Sequence, residues 1–179
     1  MYESFYDIPQ YTKSSRYECD VAWQYLENQL NTFQESYDGG LELCPDFQRG
    51  HVWTDNQQIA YIEFNLRGGT SGRDIYFNAT DFDGFTSSIQ LVDGLQRLTA
   101  VRKFLANEIP AFGQLRNEYK GRLDPVRFRF RVHVNDLPTR ADVLKWYLEM
   151  NSGGTPHSED ELNRVSMLWM NEVRKLNGN

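Results

Sequence analysis

An α/β or α+β domain, with a small mixed sheet and several helices, is what this sequence predicts. Short apolar runs of strand length alternate with longer stretches of helical spacing, and Gly-, Asp- and Asn-containing turns separate them. Hydrophobic residues make up 40% of the chain and aromatics 14%, enough for a core. At 179 residues one domain is expected over 1–179, with an N-terminal helical segment at 1–40, a motif-bearing core at 41–135 and C-terminal helices at 136–179. A chain of this size buries roughly 70% of its unfolded surface and needs neither disulfide nor metal to fold.

The first expected element is a helix from about Cys19 to Gln34, with Asp20 as cap and Val21, Trp23, Leu26, Leu30 and Phe33 near helical spacing. Tyr37-Asp38-Gly39-Gly40 ends it. Leu41 to Cys44 reads as a short strand, and Pro45 opens a loop. Asp55 is placed to cap a helix from Asn56 to Leu66, closed by the turn Gly68-Gly69-Thr70-Ser71-Gly72. Strands are expected at Ile75–Phe77 and Ile89–Val92, with Asp81-Phe82-Asp83-Gly84 as the turn between them. Asp93-Gly94 then leads into a helix from Leu95 to Asn107. After an irregular stretch, Val126 to Val134 alternates strictly, with Arg127, Arg129, Arg131 and His133 on one face and apolar residues on the other. Thr139 begins a helix to about Met150, Asn151-Ser152-Gly153-Gly154-Thr155-Pro156 breaks it, and Ser158 with Glu161 forms a capping box for a last helix to Leu176.

Several chemistries are excluded by residue type. Cys19 and Cys44 form no CxxC motif, so buried core thiols in a reduced, cytoplasmic setting are expected. The N-terminus has neither a basic n-region nor an apolar h-region, and no apolar run is long enough to span a membrane. The Gly68–Gly72 turn lacks the Gly-Lys-Ser/Thr of a phosphate-binding P-loop. His51, His133 and His157 are dispersed, which leaves a zinc site unsupported, and the Asp81 turn lacks the later ligands of a calcium loop. A net charge of −6 argues against a general nucleic-acid coat but allows a local basic patch. Arg127, Arg129 and Arg131 are the candidate DNA contacts, because three like charges side by side repel and an anion would relieve them.

Two Gln-Arg pairs carry the strongest functional signal. Gln48-Arg49 lies in Pro45-Asp46-Phe47-Gln48-Arg49-Gly50-His51-Val52-Trp53, and Gln96-Arg97 in Leu91-Val92-Asp93-Gly94-Leu95-Gln96-Arg97-Leu98-Thr99. Each follows an apolar stretch and leads into a helical pattern. A guanidinium fork and an amide there stand beside the free N–H groups of a helix N-terminus, a setting that suits phosphate.

Asp93-Gly94-Leu95-Gln96-Arg97-Leu98-Thr99 resembles the D-G-Q-Q-R-L-T signature of the GmrSD-type domain, in the ParB/sulfiredoxin-like superfamily. Phe47 to Trp53 resembles that family's aromatic-flanked Q-R motif, and Trp146 to Thr155 followed by Glu161-Leu162 resembles its Y-x-x-x-N-x-G-G-T motif. The resemblance implies an α+β fold, a ParB/sulfiredoxin-like small mixed sheet surrounded by helices. It also implies nucleotide binding, in a protein linked to DNA restriction or phage–host conflict. Leu95 stands where the family has the first Gln of Q-Q-R, and no HNH nuclease motif is present.

The expected activity is a magnesium-dependent nucleoside triphosphatase. The alternatives are a non-catalytic sensor or decoy for a nucleotide or modified DNA, and a ParB-like DNA nuclease. Arg49 and Arg97 would hold phosphate oxygens, Asp93 would place magnesium, and Gln48 or Gln96 would orient the attacking water. Gly94, Asn151 and Thr155 would complete the nucleotide site. The partners implied are a nucleoside triphosphate, DNA and a restriction or nuclease protein.

Overall fold

The computed structural model describes residues 4, 16–48, 50, 52–152 and 159–178; the side chains of Ser152 and Glu159 are left out of the description. Five strands form one mixed sheet in the order β1-β5-β3-β4-β2. These are β1 (Tyr17–Ala22), β2 (Leu41–Glu42), β3 (Asp74–Ala79), β4 (Ile89–Asp93) and β5 (Arg129–Asn135). The helices are α1 (Leu26–Ser36), α2 (Asp55–Leu66), α3 (Leu95–Leu105), α4 (Arg140–Ser152) and α5 (Glu159–Leu176). β1–β5 and β3–β4 pair antiparallel, whereas β3–β5 and β2–β4 pair parallel. The expected α+β architecture is the one observed.

One face of the sheet carries the main core. Ile75 and Phe77 of β3, Leu91 of β4 and Phe130 and Val132 of β5 meet Leu26, Leu30 and Phe33 of α1, Ile62 of α2, and Leu98, Val101 and Phe104 of α3. The opposite face is divided. Val92 of β4, with Tyr76 at its edge, packs under Val143, Leu144 and Tyr147 of α4 and Val165 of α5. Toward β1 and β5 that same face holds charged residues instead.

The helix expected from Cys19 begins at Leu26, because Tyr17–Ala22 is the edge strand β1. Its alternation puts Val21 in the core, while Glu18 and Asp20 lie opposite His133 and Arg131 of β5. Thr54 rather than Asp55 caps α2, accepting from the Gln57 N–H while its own N–H donates to the Gln57 side chain. The Ser158 capping box lies outside the described residues. Cys19 is half-buried and Cys44 exposed, in a bend before Pro45, so neither is a fully buried thiol.

Arg127 does not belong to β5. Asp124 and Pro125 form a turn in which the Asp124 carbonyl accepts from Arg127 and Phe128, and the strand starts only at Arg129. Arg129 and Arg131 do share a strand face, but carboxylates already meet them. Arg129 pairs with Asp20 at 3.1 Å, and Arg131 lies 3.5 Å from Glu18 and 3.8 Å from Asp20. His133 lies between Glu18 at 3.3 Å and Asp74 at 2.9 Å, its ring stacked on Tyr76. The expected repulsion between Arg129 and Arg131 is offset by these acids within the sheet.

Candidate functional site

Both Gln-Arg motifs reach one pocket of about 390 Å³ at the junction of β4, α2, α3 and α4. Gln48, Asp93, Gly94, Gln96, Arg97 and Asn151 all line it. Arg49 and Thr155 lie outside the described residues.

The second motif is fixed by β4 running directly into α3. Only Gly94 separates them, at φ 118°, and a Cβ there would lie 2.4 Å from Ile75 Cδ1. That left-handed conformation and close approach both require glycine. The turn places Asp93 at the end of the strand and Arg97 in the first turn of the helix. Their side chains pair at 2.5 Å, with the Arg97 side chain 18% exposed and that of Asp93 37%. Asp93 is the only carboxylate among the described lining residues.

The first motif lies across that turn, and the two glutamines join them reciprocally. Gln48 Nε2 donates to the Leu91 carbonyl of β4 at 2.8 Å. Gln96 Oε1 accepts from the backbone N–H of Val52 at 3.0 Å and of Trp53 at 3.1 Å, while its Nε2 donates to the Gly50 carbonyl at 3.2 Å. Both ends of the Gln96 amide are therefore engaged by the first loop. The sequence expectation is that Gln48 or Gln96 orients a water; in the fold the Gln96 amide holds a backbone segment.

Further residues, Tyr61, Arg140 and Arg164 among them not singled out in the sequence, finish the enclosure. Phe47 is fully buried, edge-on to Tyr147 at 5.4 Å, and ties the first loop to α4. Arg164 of α5 donates to the carbonyls of Asp46 at 2.6 Å and Phe47 at 3.0 Å, and Arg140 of α4 pairs with the Asp46 carboxylate at 2.6 Å. Trp53 and Tyr61 line another wall, ring centres 5.5 Å apart. The Tyr61 hydroxyl donates to the Gly72 carbonyl at 2.7 Å, and burial pushes its pKa well above the usual tyrosine value, against the opposing pull of Arg97 and Arg73. Trp53, beside the first motif, is a candidate pocket wall from the sequence alone, and Tyr61 is the next aromatic after it. Arg140 and Arg164 give no such signal, since an Arg on a helix is ordinarily solvated.

Asn151 is in the last turn of α4, its Nδ2 donating to the Tyr147 carbonyl at 2.7 Å. The helix continues past the expected stop at Met150 and carries Tyr147, Met150 and Asn151 to the pocket. Arg127, Arg129 and Arg131 are not among its lining residues. No cluster of three or more His, Cys, Asp or Glu side chains suited to a metal occurs among the described residues.

Residues 29–131, more than half of the chain, match the family described as GmrSD restriction endonuclease, N-terminal domain. The chain belongs to that family. GmrSD N-terminal domains are thereby associated, through their name, with restriction. Both Gln-Arg motifs fall inside the matched span, while Tyr147, Met150 and Asn151 come from beyond it. Comparison with curated proteins and with solved structures gives no match. No helix among the described residues is long and apolar enough to cross a membrane.

Proposed function

We propose that this GmrSD-family domain binds a nucleoside triphosphate in the 390 Å³ pocket and hydrolyses it with magnesium. The observation that carries the reading is the Asp93–Arg97 ion pair at the mouth of a helix N-terminus, inside a pocket walled by Trp53 and Tyr61. The guanidinium and the first N–H groups of α3 suit phosphate oxygens, and the aromatic wall suits a base. Asp93 and Arg97 would exchange partners on binding. The carboxylate would take up the cation that accompanies the nucleotide, and the guanidinium would turn to phosphate.

One carboxylate fits magnesium, which uses one or two carboxylates together with substrate phosphates. Bound there, the ion would neutralise phosphate charge. Gln48 spends its Nε2 on Leu91 and keeps a carbonyl oxygen to position water. Attack of that water on the terminal phosphorus would form the new P–O bond of inorganic phosphate, break the bond to the bridging oxygen and release nucleoside diphosphate, with the water's proton passing to solvent. In a restriction or phage–host setting, turnover would act on DNA through a separate nuclease partner.

A specific observation favours a second reading, a non-catalytic sensor. Gln96 is fully committed to the backbone of 50–53, and its neighbour Leu95 is apolar and buried. Of the two motif glutamines, Gln48 is left to orient a water.

Phosphate release from the four ribonucleotides with magnesium, measured beside equilibrium binding for wild type and Arg97→Ala, separates these readings. Turnover and binding both lost in the variant support the hydrolase; binding without turnover in wild type supports the sensor. No nucleotide binding by the wild-type protein overturns both.

A further inference from the structure

A second cavity, of about 300 Å³, opens beside the C-terminal end of α2 and shares no lining residue with the nucleotide pocket. Leu66, Phe104, Phe112 and Leu123 give it an apolar floor. Arg116, Lys120 and Arg122 stand on its rim, and Arg67 lies 4.9 Å above the Phe112 ring. These four cations form no ion pair among the described residues, in a chain whose net charge is −6. The acids nearest in sequence accept from backbone and not from these cations: Glu63 from the Phe112 N–H at 2.7 Å, Glu118 from the Leu115 N–H at 2.6 Å and Asp124 from the Val126 N–H at 2.9 Å. This is the reverse of β5, where every arginine of the strand faces an acid.

The segment that presents the aromatic is fixed in advance. Phe112 has φ 48°, a left-handed conformation that bulky side chains rarely adopt, and its side chain remains exposed. Ala111 beneath it is fully buried and bridges to Gln114. The Tyr119 hydroxyl donates to the Ala111 carbonyl, and Asn107 accepts from the Asn117 N–H at 2.8 Å. Strain and side-chain bonds thus hold an aromatic ring outward beside unpaired cations.

From this we infer that the Phe112 cleft binds single-stranded DNA, a base stacking on the ring while Arg116, Lys120 and Arg122 follow the backbone. An aromatic platform within a cationic groove is the arrangement that sequence-tolerant binding of single strands requires. A duplex keeps its bases stacked within and offers Phe112 none. An acidic peptide would satisfy the cations and leave the ring unused. The rim cations are satisfied by backbone phosphates, which DNA and RNA share, so binding does not depend on a 2′-hydroxyl.

The test is fluorescence anisotropy of the full chain with a labelled dT oligonucleotide of roughly 16 nucleotides. An abasic strand of equal length, rU of equal length and polyglutamate are the competitors. The expected result is binding that weakens steeply with salt and a preference of about tenfold for dT over the abasic strand. Phe112→Leu should erase that preference. Replacing Arg116, Lys120 and Arg122 together by Gln should lower the salt slope by about 2. Arg129→Gln with Arg131→Gln should leave both unchanged. The inference is overturned by absence of DNA binding, by equal affinity for abasic and dT strands, or by loss in the β5 variant instead. It is also overturned if polyglutamate competes as well as dT, or if rU binds more tightly. Arg97→Ala retaining DNA binding shows that the cleft stands independently of the nucleotide pocket; its loss there overturns the assignment to Phe112.

Discussion

Gln96 holds Trp53 by its backbone: the amide oxygen on α3 accepts from the Trp53 N–H at 3.1 Å, across a sequence separation that no local rule would bridge. The same oxygen holds Val52, and the amide nitrogen holds Gly50. One side chain therefore sets the position of the loop that supplies a wall of the pocket.

Gln96→Ala should leave a half-buried N–H at Trp53 without a partner and cost about 1–3 kcal/mol. Urea unfolding reads the loss of stability. Nucleotide affinity should fall with it, because Trp53 loses its anchor, whereas Gln96→Glu keeps an acceptor for the two N–H groups and should recover part of the loss.

Asp93→Asn should separate charge from position. The Asp93–Arg97 pair at 2.5 Å neutralises the guanidinium in the free protein, so removing the acid leaves Arg97 open to phosphate. Magnesium-free nucleotide should then bind more tightly than to wild type, and added magnesium should no longer strengthen binding. Isothermal titration with and without the ion decides it; unchanged magnesium dependence would remove Asp93 from the proposed site.

Gly94→Ala should destabilise the fold by more than about 1 kcal/mol, since φ is 118° and the new Cβ would meet Ile75 Cδ1 at 2.4 Å. A thermal melt is sufficient to see it. Gly50→Ala is the contrast: a Cβ there meets nothing within 4 Å, and the midpoint should move little.

Tyr61 should keep its proton well above pH 10. Its folded pKa is raised by burial, whereas in the unfolded chain the phenol ionises near its ordinary 10.0. Between the two values the native state binds the extra proton, so this contribution to stability is intact below pH 10 and declines as pH rises beyond it. Alkaline absorbance titration of wild type beside Tyr61→Phe should show one late-ionising tyrosine missing from the variant, with a shallower alkaline loss of stability.

Much of the pocket was legible because punctuation residues frame it. Pro45, Gly50 and Gly94 bound the two motifs, and Asp93, Gln96 and Arg97 follow from where a strand must turn into a helix. That the glutamine amides reach across to each other's segment was not legible, since it depends on β4 lying beside the first loop. Strand β1 was missed for a similar reason. Val21 fits helical spacing with Trp23 and Leu26, and the acids at 18 and 20 acquire meaning only when β5 is seen opposite them. Arg127 was misplaced because period two runs unbroken through a turn that Asp124 and Pro125 impose. The Phe112 cleft was invisible, as it combines the end of α2 with a stretch that carries no periodicity.

The span shared with the family is narrower than the unit that folds. Strand β1 precedes residue 29, and β5 continues beyond residue 131 into the segment that leads to α4 and α5. A fragment cut to 29–131 would bare Phe47 and Val92, drop the guanidinium of Arg164 from the first loop and open the far wall of the pocket. It would also leave β5 as a frayed, cationic sheet edge, stripped of Glu18 and Asp20. Excision at the family's borders would therefore yield a sticky, hollowed remnant, whereas a fragment from 17 to 176 keeps all five strands and the α5 contacts to the first loop.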